Sequence, residues 1–321
     1  MKERKMPLII RKLNALLRRL PQHHPQRKDI EASFAKYMAG YRGEESIDYV
    51  LGFLPEKEYY ILHDVRLSDG VRYFQIDTLI VSSKFILLLE IKNISGTLVF
   101  DQTFNQLIRI TDEKEEAFPD PILQIQRHEQ QFRAWLHQHH FHQIPIESLV
   151  IISSPYTLIK NSRDNQAEHL EMVIHSGKLS KKVNDFERLY LSPILTDKLI
   201  KKLLRQMSKK HTPLSIDLLQ RFDIKTDELL TGVHCPDCGY LPMKRMQAKW
   251  ICPKCLKTSK DAHLMALVDY ELLLCSTINN CQFRQFLLIS SSSIAHKMLC
   301  SMNLPVSGSF KDKIYFLHPS E

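Results

Sequence analysis

Residues 73–93, YFQIDTLIVSSKFILLLEIKN, hold two mostly apolar runs separated by Ser82, Ser83 and Lys84. They read as two strands joined by a tight connection. FILLLEIK is apolar at odd and even positions alike, the pattern of a strand covered on both faces. Elsewhere EYYILHDVRL reads as a strand, SDGVR as a turn, GTLVFDQTFNQLIRITD as a further hairpin and ESLVIISS as another buried strand. PILQIQRHEQQFRAWLHQH has helical spacing, with Pro121 near its start. KDIEASFAKYMAGYRGEESIDYVLGFL is helical too, with an expected interruption near Gly40 and Gly43 and with Ile47, Val50, Leu51 and Leu54 on one face. Residues 196–231 are expected to be mostly helical and basic. A helix, a β-meander, a helix and a returning strand predict an α/β (α+β) core of about 200 residues.

The same patterns divide the chain. Residues 1–30 form a basic arm or helix, 31–212 the core, 213–232 a helical linker, 233–262 a cysteine module and 263–321 a small C-terminal domain. With 321 residues there is enough chain to bury such a core, and a net charge of +8 permits polyanion binding without requiring it. The first 28 residues carry nine Lys/Arg against one Glu. Their composition suits a helix on nucleic acid or another acidic surface, a mitochondrial transit segment, or an amphipathic helix packed on its own domain. No run approaches 18 apolar residues, so no membrane span is expected. All seven cysteines lie from Cys235 onward, four of them in two Cys-x2-Cys pairs. That spacing favours metal ligation in a reducing compartment, the cytoplasm, over a disulfide framework.

Three charged residues interrupt the strand pair. Alternation puts Glu90 and Lys92 on one face, roughly 6–7 Å apart along the strand. With the turn centred on Ser83 and Lys84, Asp77 falls opposite Glu90, their Cβ atoms about 5 Å apart. Two carboxylates that close repel unless a cation lies between them, and Mg²⁺ takes oxygen ligands of this kind. A lysine ammonium beside the site suits a water or a phosphate. The plainer alternative is a salt-bridge ladder on an exposed hairpin face.

In order and spacing, YRGEESIDYVL, FQIDTLIV, LLLEIKN with Gly96 following, and PILQIQRH resemble the nuclease-related domain (NERD) of the PD-(D/E)XK nuclease superfamily. The resemblance covers roughly residues 35–150. It implies a mixed-sheet, restriction-endonuclease-like core with flanking helices. It also implies that Asp77 and Glu90 hold Mg²⁺ or Mn²⁺ and that Lys92 is the catalytic lysine. Glu44 would be the helix carboxylate, with Glu45 as the adjacent alternative, and Gln124 a polar helix position near the phosphate. The superfamily's Pro-Asp pair is absent, since Ile76 precedes Asp77. The implied reaction is phosphodiester hydrolysis on nucleic acid, DNA being the expected partner. The alternative is an adaptor that binds nucleic acid or another partner and no longer cuts. His63, His128 and the His137–His142 cluster read as polar helix ends and loops.

CPDCGYLPMKRMQAKWICPKC sets Cys235, Cys238, Cys252 and Cys255 as two knuckles around a hairpin, the pattern of a four-cysteine zinc ribbon. A closed thiolate site has no open position, so structural Zn²⁺ is expected, contributing on the order of 10 kcal/mol to a module too small for its own core. Lys244, Arg245 and Lys249 are candidate phosphate contacts, and Trp250 is expected to cover the zinc rather than stack on a base. Cys275, Cys281 and Cys300 are expected as small core residues. Beyond them, Asn280 is a candidate cap for a helix facing Phe283, Phe286 and Leu287 inward. A second helix with Ile294, Met298 and Leu299 inward follows, and GSFKDKIYFL is a returning strand or wing. This resembles a winged helix-turn-helix, with Ser291, Ser292, Ser293, His296 and Lys297 toward nucleic acid; a small packing domain is the alternative.

Overall fold

The computed structural model describes residues 4–141, 143–162, 168–309 and 312–317. Met1–Glu3 of the basic arm, His142, Phe310 and Lys311 of the expected wing, and residues 318–321 lie outside the described residues. In chain order the elements are α1 (Leu8–Arg19), α2 (Arg27–Ser46), α3 (Asp48–Leu51), β1 (Tyr60–Ser68), β2 (Tyr73–Val81), β3 (Ile86–Lys92), β4 (Thr97–Asp101), β5 (Gln106–Ile110), β6 (Glu115–Pro119), α4 (Pro121–Gln138), β7 (Ile146–Ile152), β8 (Leu158–Asn161), β9 (Val173–His175), α5 (Leu179–Leu189) and α6 (Asp197–Lys210). They continue with α7 (Leu218–Arg221), β10 (Lys244–Met246), β11 (Lys249–Ile251), β12 (Thr258–Ser259), α8 (Ala262–Leu273), β13 (Thr277–Asn279), α9 (Asn280–Leu287), α10 (Ser292–Ser301), β14 (Val306–Ser307) and β15 (Ile314–Phe316). Two compact units result: Met1–Met6 with Met38–Leu214, and Pro7–Tyr37 with Ser215–Glu321.

The first unit is built on a five-stranded mixed sheet in the order β1-β2-β3-β7-β9, with β1, β2 and β3 antiparallel and β3, β7 and β9 parallel. The double apolar pattern of β3 has its reason here. Ile86 and Leu88 join the layer of α4 and α6, while Leu87, Leu89 and Ile91 join that of α3 and α5. A second sheet, β6-β5-β4-β8, contributes Leu98, Phe100 and Leu107 to the first layer. Asp120 caps α4 by accepting from Ile122 N at 2.8 Å, with Pro121 in the first turn, where its missing N–H costs nothing.

Two strands break their own alternation. Along β2, Phe74 and Ile76 share a layer with Leu79 and Val81, so the period slips one step between Ile76 and Leu79. On β1 the ladder pairs His63 with Thr78 and Val65 with Ile76; between them stand Asp64, at φ 52°, and Asp77. The slip brings two carboxylates to one place in the sheet.

The expected break near Gly40 and Gly43 is absent: α2 runs through both. Gly43 instead permits close approach, because a Cβ there would lie 2.3 Å from Asn93 Cβ. Residues 213–232 hold little helix beyond the single turn of α7 and bury Leu218, Leu219, Ile224 and Leu229.

In the second unit, α1 buries Ile9, Ile10, Leu13, Ala15 and Leu16, and one of its arginines, Arg19, turns inward as well. Arg19 is fully buried. Its Nε donates to Asp269 Oδ2 at 2.9 Å and its Nη1 to the carbonyls of Leu230 and Gly232 at 3.2 and 2.7 Å; Arg18 pairs with the same Asp269. A buried ion pair holds this basic segment in place. A small sheet, β10-β11-β12, surrounds the cysteines. The last segment runs α8, β13, α9, α10, β14, β15, with sheet order β13-β15-β14.

Several details differ from expectation. The cap of α9 is Asn279, which exchanges bonds with Gln282 in a capping box, rather than Asn280. Phe283, Phe286 and Leu287 are buried as expected, but on α10 Ala295 faces the core with Met298 and Leu299, whereas Ile294 is 45 % exposed. Cys275, Cys281 and Cys300 are exposed, not core residues; small size and missing pair spacing say nothing of which face a side chain takes.

Candidate functional site

Register brings the site together. The β2–β3 ladder pairs Val81 with Ile86 and ends at Thr78 with Leu89, so the connection is centred on Ser83 and Lys84 and the next opposed positions are Asp77 and Glu90. There the strands part. Asp77 Oδ2 accepts from Ile91 N at 2.9 Å and stands in for a ladder partner. Glu90 is 3 % exposed. Lys92 Nζ donates to Glu90 Oε1 at 2.7 Å and to Gln124 Oε1 at 3.1 Å, so α4 clamps the lysine from above the strand. Glu44, on the last turn of α2, is half-buried, whereas Glu45 is exposed and meets Tyr41. The structure thus gathers Glu44, Asp77, Glu90, Lys92 and Gln124 and leaves Glu45 outside.

Electrostatics show how tightly the acids are crowded. Burial, then Asp77, Asp64 and Glu90, push the Glu44 carboxyl up to about 9 against the pull of Arg4. Burial and Asp77 push Glu90 up to about 8, with Lys92 and Gln124 opposing. Burial also holds Asp77 above its usual range, and raises Asp64 to about 6 with help from Asp77. A buried cluster of hard oxygen donors that cannot all ionise without a counter-charge fits a divalent cation chemically.

Several further residues were not singled out as part of this site by the sequence. Asp64 joins through the slip in β1, and Gln75 Nε2 donates to it at 3.2 Å. Arg4 reaches Glu44, Asp48 and Thr78. His63 Nδ1 lies 3.3 Å from Thr78 Oγ1, and His128 Nδ1 lies 3.7 Å from Glu90 Oε2. Burial, reinforced by Arg4 at His63 and by Arg127 and Lys92 at His128, lowers both imidazoles to about 4. A usable signal existed for His128, one helical turn after Gln124. None existed for Arg4, 40 residues from Glu44 in the chain.

The cysteines are a separate centre. Among the described residues, only Cys235, Cys238, Cys252 and Cys255 bring three or more metal-ligand atoms within 4.8 Å of one another. Sulfur separations of 3.6 Å (Cys235–Cys255) and 3.5 Å (Cys238–Cys252) approach the roughly 3.8 Å edge of a tetrahedron with zinc–sulfur bonds of about 2.3 Å. Cys255 N points at Cys252 Sγ, 3.5 Å away, as a knuckle requires. These residues fit structural zinc. Trp250 is 1 % exposed, packs in the core cluster of Cys235 and Cys252, and donates its Nε1–H to His263 Nδ1 at 3.2 Å. Arg245 lies over its ring at 5.2 Å, so Arg245 is a packing residue more than a free phosphate contact, while Lys244 and Lys249 are exposed. On α10, Ser291 is the cap, and Ser292, Ser293, His296 and Lys297 are exposed.

Residues 39–153 match the family model of the nuclease-related domain, NERD, and the chain carries that domain over this span. No curated protein and no solved structure matches the chain. Among the described residues no helix is long and apolar enough to cross a membrane.

Proposed function

We propose that this protein is a divalent-cation-dependent phosphodiesterase acting on nucleic acid, with DNA the expected substrate. One observation carries the proposal: Lys92 Nζ sits 2.7 Å from the buried Glu90, directly beyond the end of a ladder whose next opposed pair is Asp77 and Glu90. Asp77, Glu90 and Glu44 would hold Mg²⁺ or Mn²⁺, with Asp64 beside them. The cation, when bound, supplies Lewis acidity toward the scissile phosphate. Lys92, steered by Glu90 and Gln124, presents a fixed ammonium to the attacking water or to charge growing on phosphate oxygens. His128, held neutral by burial, completes the wall beside Glu90.

The second unit supplies targeting in this reading. Zinc on the four cysteines is structural, since a closed thiolate set offers no open position. The helix and strand order of α8–β15 supports a winged-helix reading, in which the exposed Ser292, Ser293, His296 and Lys297 of α10, with Lys244 of β10, are the groups suited to phosphates or bases.

Plasmid cleavage with Mg²⁺ or Mn²⁺ tests the assignment. Wild type should nick or linearise the plasmid, and Glu90→Ala and Lys92→Ala should lose that activity on the order of 10²-fold or more. Equal cleavage by all three would sink it. The adaptor reading is favoured by a different feature, the pairing of Glu44 with Arg4. It predicts salt-dependent DNA binding without cleavage.

A further inference from the structure

Arg4 lies outside any helix or strand, yet it is only 8 % exposed. Its Nε donates to Asp48 Oδ1 and Oδ2 at 3.3 and 3.1 Å, and its Nη2 to Asp48 Oδ1 at 3.0 Å. The same Nη2 reaches Thr78 Oγ1 at 3.1 Å, next to Asp77 on β2. Only Nη1 engages Glu44, at 3.0 Å on Oε2. The guanidinium is thus anchored on Asp48 by a forked clamp and lends a single bond to the helix carboxylate. Glu90 already has Lys92 as its counter-charge. Arg4 is therefore the cation facing the third candidate ligand.

We infer that Arg4 and the divalent cation compete for Glu44. In the cation-free protein Arg4 satisfies this carboxylate; cation uptake draws Glu44 away while Asp48 keeps the guanidinium nearby. This rests on the reading that Glu44, Asp77 and Glu90 take a cation. Two physical effects support it. A carboxylate oxygen bonded to a guanidinium has fewer lone pairs left for a metal. A fixed positive charge beside the site also repels an incoming dication, by an amount that even at water-like screening amounts to roughly tenfold in affinity at 6–7 Å. Arg4 would set the cation concentration at which the site fills, and so act as a positioning residue that restrains Glu44.

Mn²⁺ binding to the full, zinc-loaded chain, followed by the electron paramagnetic resonance of free Mn²⁺, tests this without any cleavage assay. Arg4→Gln removes the charge and should tighten binding about tenfold; Arg4→Lys keeps it and should stay within about threefold of wild type. Glu90→Gln identifies the site by weakening binding. Unchanged or weaker binding in a folded Arg4→Gln protein overturns the competition and makes Arg4 a support that aims Glu44 at the metal. If Arg4→Gln fails to fold, the wild type still decides. The Arg4 Nε–H resonance should shift or exchange faster as Mg²⁺ saturates the site, and an unmoved resonance refutes the idea. Binding that Glu90→Gln weakens but Arg4→Gln does not tighten leaves the metal reading standing and removes only this inference. No binding by wild type or Arg4→Gln removes both.

Discussion

The protein holds two clusters of metal-ligand chemistry assembled to different degrees. The four sulfurs already stand at 3.5–3.6 Å in pairs and all lie within 4.8 Å. The carboxylates of Glu44, Asp64, Asp77 and Glu90 share one region of the first unit but do not form such a group among the described residues. Protonated thiols are neutral and pack like small apolar groups, so a hairpin can bring them to bonding distance before any ion arrives. Buried carboxylates repel, and the chain keeps them apart by hydrogen bonds to Ile91 N, Lys92 and Arg4. One centre is built closed. The carboxylates are left spread out and electrostatically strained, which in the proposed reading suits a cation that exchanges ligands.

Four experiments sharpen or break this contrast, from the largest expected effect to the smallest. Cys252→Ser opens the closed centre. Zinc content measured by mass spectrometry should fall to near zero, with a stability loss on the order of several kcal/mol in the second unit. A variant that keeps both zinc and its melting temperature would show that the thiols are not ligands. Asp77→Asn, in the open centre, should lower cleavage on the order of 10²-fold while leaving the cation-free melting temperature unchanged or higher, because a neutral amide relieves the repulsion. A large drop in melting temperature would instead make Asp77 a structural residue.

Gly43→Ala tests how closely the Glu44 helix must approach β3. Its Cβ would fall 2.3 Å from Asn93 Cβ, the residue after Lys92. Calorimetry should register a loss of about 1–3 kcal/mol, together with weaker cation binding; a neutral outcome would mean that the contact yields freely. The smallest effect is in pH. Glu44, Glu90 and Asp64 have folded-state carboxyls raised to about 9, 8 and 6. The folded protein therefore holds protons that the unfolded chain would release. Their stabilising contribution is full below about pH 4 and is lost as pH rises through 6 to 9. The melting temperature of the zinc-loaded, Mg²⁺-free protein should decline across that window, and saturating Mg²⁺ should flatten the slope. An identical profile with and without Mg²⁺ would contradict a cation site among these groups.

Much of the chemistry could be read from local pattern. The turn at Ser83 and Lys84 makes Asp77 and Glu90 the next opposed positions because antiparallel register is arithmetic once a connection is placed, and the ladder from Val81–Ile86 to Thr78–Leu89 keeps that register up to the point where the strands part. Two Cys-x2-Cys pairs specify a knuckle pair for a similar reason: ligand spacing within a tight turn leaves few geometries. Gln124 was recognisable by family resemblance, and its bond to Lys92 gives that position a physical task. The misses have a common cause. Asp64 enters through a slip in strand alternation. Gly43 is used for a close approach rather than a break. Ile294 is exposed while Ala295 is buried, because a short helix has too few apolar positions to define its inward face.

What short-range order carries, then, is periodicity, register across one tight turn and ligand spacing, each governed by contacts within a few residues. What depends on the folded whole is which distant charges end up face to face. Arg19 closes on Asp269 some 250 residues away, and Arg4 meets Asp48 across 44. No sequence period encodes such pairs, since burial selects them. An ion drawn out of water is tolerated only where another part of the chain answers it.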